Sequence, residues 1–599
     1  MSAENIFEDG QLVPTIEDLF PEPVKSETFV AWPYIDNLFD FTRVVGKDNN
    51  LGHIPNLKGK KVAVIGAGVG GMCAAYELSK CGVNVEVIEA GSRIGGRCWS
   101  QRFTNEDGSL SNVFAELGAM RIPLSQKTFW KYANEFNLKA GLSFPDPGKV
   151  RTKFFYDNKS YDWEPGSQAP GPFAKIAKDF EEWVNYLKSL LYKPFSKWQQ
   201  LPNDKNLKEL TRIWQHEFID KYKDCSFFKA VSDKMQHWTK EDFKAFGALG
   251  VGSGGFGSLY PVNMLELARI ILMQWEEEQQ MFPSGVESLP NSFYTNAVEI
   301  NGQKQTSLED RSAVKFNTRV KNILYDEGSN KPIIVLDNDE HCLYDAVIVA
   351  TTTRAMSYMG LSMPMKNTNS AIMSDDVKAA IRNLHITSSS KMFIRTRTKF
   401  WLNKDGSLKN NFPLTLMTDE LPRAAYLMDY PETDEGVVVI SYTWEDDSNK
   451  LQALPVDKRF EICREILYDV CPEWEGYLEP VNNEVLSIDW QNEQDYYGAF
   501  KLNYPGQEPD IHAAYFQFMS VLNKKLDKGV YIAGDSNSWS GGWIEGALHT
   551  GINAASAVVK RLGGELPPYN SFIQDPDMYC YDLSRKSTQL EKNNAFILT

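Results

Sequence analysis

The chain has no run of about 18 apolar residues, so no membrane-spanning helix is expected. Histidine is scarce, 7 in 599 residues, and those such as His385 and His549 stand alone; neither a Ser-His-Asp set nor a metal-ligand cluster emerges. The 8 cysteines are scattered without a C-x-x-C pair, which speaks against a disulfide framework or a zinc site and suits a reducing cytoplasm. Basic charge is also short: 63 Lys and Arg face 79 Asp and Glu, for a net charge of −16. A nucleic-acid or membrane-surface partner needs a basic face that this balance does not supply. The opening residues, MSAENIFEDGQLVPTIEDLF, are acidic and lack the charged-then-apolar pattern of a secretory signal. No internal repeat is visible.

What is present points to a large composite enzyme. The stretch KKVAVIGAGVGGMCAAYEL places Gly66, Gly68 and Gly71 directly after the apolar strand Val62–Ile65. Gly66 makes the tight turn, Gly68 lets backbone approach a pyrophosphate, and Gly71 lets the following helix pack on the strand. That helix would turn its unpaired N–H groups to the phosphates. A second strand, VNVEVIEA, ends at Glu89 and Ala90, with Glu89 18 residues beyond Gly71, where a carboxylate can grip ribose hydroxyls. No second G-x-G-x-x-G unit follows a strand, which counts against an NAD(P)-linked dehydrogenase. The next turn, GSRIGGRCWS, adds Gly96 and Arg97, a second glycine-rich loop with a cation that suits an extended dinucleotide. Near the other end, YIAGDSNSWSGGWIEGALHTGINAA reads as a buried strand, a turn and a helix running to about Leu562.

These two segments resemble the flavin-containing amine oxidases. The stretches FPDPG, DCSFF, GALGVGSGGF, SSSKMFIRTRTKFW, SYTWEDD and GAFKLNYPG narrow the resemblance to the branch acting on L-amino acids, the oxidases and above all the monooxygenases. The resemblance covers about Lys60 to Leu562. It implies an α/β fold: a Rossmann-like, glutathione reductase-type FAD-binding domain built from discontinuous segments, a mixed α+β substrate domain and a helical domain. The divisions expected are an irregular arm over 1–58, FAD-binding segments at 59–150, 281–355 and 521–565, a mainly helical domain at 151–280, a substrate domain at 356–520 and a polar tail at 566–599. FAD contacts are implied at Gly66, Gly68, Gly71, Glu89, Ala90, Gly96 and Arg97. Others are implied at Gly118, Ala119, Met120, Arg121 and Val320, and at Gly534, Asp535, Gly542, Trp543 and Ile544.

The resemblance also gives Arg121, in ELGAMR, the substrate carboxylate. A planar guanidinium can hold a carboxylate by two parallel hydrogen bonds. The alternative is an arginine bound to FAD or to an internal acid. Lys391 matches the family lysine near flavin N5, where a cation favours reaction with O2; the alternative is a strand-edge surface lysine. Phe256, Trp444, Tyr497 and Trp543 are candidate walls for the substrate side chain, or core. The lack of an acid in GGFGSLYP disfavours a lysine pocket, so an aromatic or large apolar amino acid is expected. The reaction implied is FAD-dependent oxidation of the Cα–N bond with O2 and decarboxylation to the amide. Release of the 2-oxo acid, ammonia and H2O2, or a flavoprotein without turnover, are the alternatives. A homodimer is left open.

Overall fold

The protein is described here as a computed structural model covering residues 7–8, 11–12, 40–46, 49–138, 141–201, 204–248, 255–300, 303–304, 306–362, 372–431, 433–567 and 570. Most of the expected N-terminal arm, most of the polar tail and residues 249–254 of GALGVGSGGF lie outside the described residues.

Three stretches far apart in sequence meet in one five-stranded sheet. Its order is Val314–Lys315, Val85–Ile88, Val62–Ile65, Ala346–Val349, Val530–Ile532, and every neighbouring pair is parallel. VAVI and AVIV are buried at all four positions, as β-branched runs must be when helices cover both faces. The helix Val69–Lys80 is buried along its whole length and packs on the long helix Ile544–Arg561. Small residues allow that approach: a Cβ on Gly70 would lie 2.8 Å from the Ala547 carbonyl oxygen, and one on Gly551 2.5 Å from that of Gly70. The long helix therefore hangs over the glycine-rich turn, and its first turn reaches the same space.

A second sheet of seven strands stands beside the first. Its order is Lys159–Trp163, Thr152–Tyr156, Thr415–Thr418, Ala424–Met428, Gly436–Trp444, Ser389–Thr396, Val485–Asp489, antiparallel except where Thr152–Tyr156 runs parallel to Thr415–Thr418. The expected helical region thus begins too early: residues 152–163 form a hairpin of this sheet. Its turn residues Asp157 and Asn158 both have positive φ, 51° and 58°, the geometry of a two-residue hairpin loop. The helices start at Phe173, and Phe173, Ile176, Trp183 and Leu187 are buried on one face of Phe173–Gln200.

Register fixes what the second sheet shows to its neighbour. Ser389 pairs with Trp444 and Lys391 with Tyr442, so these four side chains share one face. All four border the same cavity as the glycine-rich turn of the first sheet. Glu545, in the first turn of the long helix, accepts the N–H groups of Thr128 and Phe129, each at 2.8 Å. It caps the helix Lys127–Glu135, an anion at a positive helix end, and so braces the segment that follows Arg121.

Candidate active site

A cavity of about 590 Å³ runs from the glycine-rich turn to the face of the second sheet that carries Ser389, Lys391, Tyr442 and Trp444. At one end stand Gly66, Gly68, Glu89, Ala90, Gly96 and Val320. Gly66 has φ +98°, and a Cβ there would meet the Ala350 carbonyl oxygen at 2.7 Å. Gly68 differs. It precedes the first turn of its helix, and the nearest atom to a Cβ on it is the Gly96 Cα, at 4.0 Å, with the cavity beyond. Gly71 does not line the cavity; a Cβ there would fall 2.0 Å from the Gly66 carbonyl oxygen, so it serves packing. The Glu89 carboxylate accepts from the Ala67 and Gly91 N–H groups at 2.7 and 2.8 Å, which fixes its direction at the cavity edge.

These differences separate two glycines of one motif. Gly68→Val is expected to fold but to lose the flavin, because the new side chain fills only the space for phosphate. Gly71→Val is expected to destabilise the fold itself through a backbone clash. Flavin absorbance after gel filtration and thermal melting of both variants check this. Flavin retained by Gly68→Val would refute the first half.

In the middle, Arg97 is joined to Asp535 and to the carbonyl oxygen of Ala499. Asp535 also accepts from Gly542 N at 3.3 Å. Two residues read separately from the sequence thus form one strut, which holds the Gly541–Gly542 turn below Trp543 and Ile544. The segment Gly118–Arg121 is pinned beside it. Ala119 N donates to the Arg97 carbonyl at 3.0 Å, and any Cβ on Gly118 would collide with that same carbonyl. Lys391 closes the clasp: its Nζ donates to the carbonyl oxygens of Glu116, at 3.1 Å, and Gly118, at 2.5 Å. Burial lowers the Lys391 pKa to about 7, although the neighbouring Glu116 works the other way. Gly118, Ala119, Met120, Gly534, Ile544 and Lys391 all line the cavity.

At the far end lies Arg121. Its Nη1 donates to Gln279 Oε1 at 2.8 Å and stands 3.7 Å from Glu276 Oε2. Its guanidinium lies 5.6 Å from the Phe144 ring centre. Burial alone would lower the Arg121 pKa; the surrounding negative and phenolic groups, Glu276 first, then Tyr442, Tyr426 and Asp146, raise it instead. The acids respond to the same enclosure. Burial lifts Glu276 to about 7 and Asp146 to about 6, with Arg121 pulling each down.

The four expected wall residues all border the cavity but do not stand together. Trp444 is 5.2 Å from Phe500 and 5.9 Å from Tyr442, ring centre to ring centre, and Trp543 is 5.3 Å from Trp275. Phe256 belongs to an aromatic cluster with Phe180, Phe227 and Phe246 in the helical layer. Tyr497 is set apart: it packs on the exposed Tyr358, and Arg354 donates to its carbonyl. Its neighbours belong to the helix Thr353–Tyr358, not to the surroundings of Arg121. Sequence reasoning missed Tyr442, although it sits two residues before Trp444 on the same strand face. It also missed Glu276 and Gln279, which lie in a run of acids that reads as a solvated face.

The pattern of flavin containing amine oxidoreductases matches residues 69–559, most of the chain. The chain belongs to the flavin-containing amine oxidoreductase family. It is 35% identical over 567 residues to the tryptophan 2-monooxygenase of Pseudomonas savastanoi, covering 90% of this chain and 97% of that protein. It is 34% identical over 570 residues to the tryptophan 2-monooxygenase of Pantoea agglomerans pv. gypsophilae, covering 89% and 96%. Cyclohexylamine oxidase from Brevibacterium oxydans IH-35A shares the fold, with a TM-score of 0.60 at 15% identity over 84% of this chain and 99% of that one. The residues present fit the family's cofactor. A cradle at Gly68 and Gly96 that side chains would fill, a carboxylate at the edge and a long cavity suit a flavin dinucleotide, FAD. Among the described residues no helix is long and apolar enough to cross a membrane.

Proposed function

We propose that the protein is an FAD-dependent L-amino acid 2-monooxygenase that oxidises an aromatic L-amino acid at Cα–N and converts it, with loss of CO2, to the amide. The observation that carries this reading is the placement of Arg121: an enclosed guanidinium on the cavity wall, three residues from the Gly118 carbonyl that Lys391 clasps. Gly66, Gly68, Gly96, Glu89 and Val320 would hold the nucleotide end of FAD, and Arg97, Asp535 and the Gly542–Ile544 turn its middle and flavin end. When bound, FAD supplies the acceptor for the Cα hydride and the centre that then reacts with O2.

The rest is the work of this chain. Arg121 fixes the substrate carboxylate and thereby the direction of the Cα–H bond. An amine without a carboxylate gives this cation nothing to bind, which favours amino acids. Trp444, Phe500, Tyr442 and Trp543 offer aromatic faces to the side chain and exclude water. The Lys391 Nζ holds or releases a proton near neutral pH. The helical layer supplies a further wall of the cavity through Phe180, Phe227 and Phe256. We place the enzyme in the cytoplasm, on the scattered thiols.

Enclosure decides the product. Oxidised substrate kept with peroxide gives the amide, because confinement raises the effective concentration of each at the other. Early release gives the 2-oxo acid and ammonia. A panel of 20 L-amino acids with catalase present, read by mass spectrometry, is expected to show the amide and CO2 as main products of an aromatic member. Mainly 2-oxo acid with stoichiometric peroxide makes the protein an L-amino acid oxidase. Turnover of none makes it a flavoprotein without this activity.

A further inference from the structure

We propose that Glu276 is the receptor for the substrate's α-ammonium, so that Arg121 and Glu276 together read the zwitterion. The inference rests on the carboxylate role of Arg121 given above and adds the second half of the recognition.

The run Glu276-Glu277-Glu278 is divided by the fold. Glu277 also borders the cavity but pairs with Lys188 of the helix Phe173–Gln200 at 3.0 Å, and Glu278 pairs with Lys149 at 3.1 Å. Glu276 has no lysine partner among the described residues; it turns to the cavity wall beside Arg121. Left-handed backbone at Gln274, φ +55°, and Glu278, φ +47°, produces that separation of three consecutive side chains.

One amide sets the spacing of the two charges. Gln279 is buried; its Oε1 accepts from Arg121 Nη1 at 2.8 Å, and its Nε2 donates to Glu276 Oε2 at 3.2 Å and to the Trp275 carbonyl at 3.0 Å. Arginine and glutamate are thus held side by side and kept from collapsing onto each other. Their separation of 3.7 Å exceeds hydrogen-bond distance, and the Glu276 side chain keeps 26% of its surface open. An acid whose task is only to neutralise a buried arginine looks different in this same chain. Glu508 meets Arg269 through both carboxylate oxygens, with both side chains 1–2% exposed.

An α-amino acid carries its opposite charges on neighbouring atoms of Cα. A carboxylate seated on Arg121 alone would be pushed away by Glu276, and by Asp146 beyond it. A cation between substrate carboxylate and Glu276 removes that repulsion, and the α-ammonium is that cation. The other groups facing Glu276 agree: Asp146 is negative, and Tyr442 and Tyr426 are held neutral because burial raises both phenols. With its pKa lifted to about 7 by burial, Glu276 stays ionised beside an ammonium but takes up a proton beside an unaccompanied carboxylate.

The test uses the holoenzyme and two ligands that cannot be oxidised at Cα–N. α-Methyl-L-tryptophan has both charges but no Cα–H, and 3-(indol-3-yl)propanoate has the ring and carboxylate but no nitrogen. Dissociation constants come from calorimetry and from perturbation of the flavin spectrum. Glu276→Gln is expected to weaken α-methyl-L-tryptophan by about tenfold or more and to tighten the propanoate. If the isosteric variant does not fold, Glu276→Asp, which retracts the charge, should move the two constants in the same opposite directions by less. Equal shifts for both ligands, or none, overturn the proposal and leave Glu276 a neutraliser of Arg121. Failure of both ligands to bind wild type, or equal binding to Arg121→Ala, overturns the carboxylate site itself.

Discussion

Arg121→Ala is expected to lower kcat/KM for an aromatic L-amino acid by about 2–5 kcal/mol of transition-state stabilisation, roughly 1.5 to 3.7 orders of magnitude, while FAD stays bound. The loss has two parts. A charge-assisted, two-pronged contact to the carboxylate disappears. The cavity also loses its cation, so Glu276 and Asp146, already lifted to about 7 and about 6 against the pull of Arg121, rise further and become neutral at physiological pH. Arg121→Lys should recover little, because an ammonium cannot reproduce the fork and simultaneously engage Gln279. Steady-state kinetics with the flavin spectrum as control decide the matter. Unchanged kinetics in the alanine variant would move the carboxylate site elsewhere.

The parallel sheet was legible because its signals are local. VAVI, G-A-G-V-G-G and a carboxylate at the end of the next strand lie within one βαβ unit, and each follows from backbone rules that need no knowledge of the rest of the chain. The hairpin at 152–163 was equally local; its Asp157-Asn158 turn was present in the sequence but lost beside the strong helical period that follows. Tyr442 was reachable by the same logic: once Trp444 is assigned to a wall, alternation places Tyr442 on that wall too.

The acid beside Arg121 was not reachable in this way. Gln279, which bridges the pair, lies 158 residues from Arg121, and nothing in WEEEQQ distinguishes the glutamate that meets Arg121 from the two that take lysines. That choice is made by left-handed backbone between a buried helix and a short strand, where no periodicity survives. The Arg97–Asp535 strut is a similar case: each residue was readable from its own motif, but their union spans 438 residues. Long-range pairing of charges inside a cavity is a property of the assembled layers, and it is there that specificity resides.

Lys391→Met is expected to slow reaction of the reduced enzyme with O2 by about two orders of magnitude, the size lost when a charge-stabilising group leaves an enclosed site. Anaerobic reduction by substrate should change much less, and stopped flow can time the halves separately. Stability alone cannot carry the argument, because methionine leaves the Glu116 and Gly118 carbonyls without their donor, at a cost of about 1–3 kcal/mol for each buried group left unpaired. A melting temperature therefore falls whether Lys391 is chemical or structural. The pH profile separates the two. Burial holds the Lys391 pKa near 7, so the fraction carrying the ammonium declines as pH rises through that value. If the cation assists oxygen chemistry, the wild-type reoxidation rate falls across this window and the methionine variant, lacking the titrating group, is flat. Matching half-reactions in wild type and variant, with parallel pH profiles, would make Lys391 a clasp for the Gly118–Arg121 backbone and nothing more.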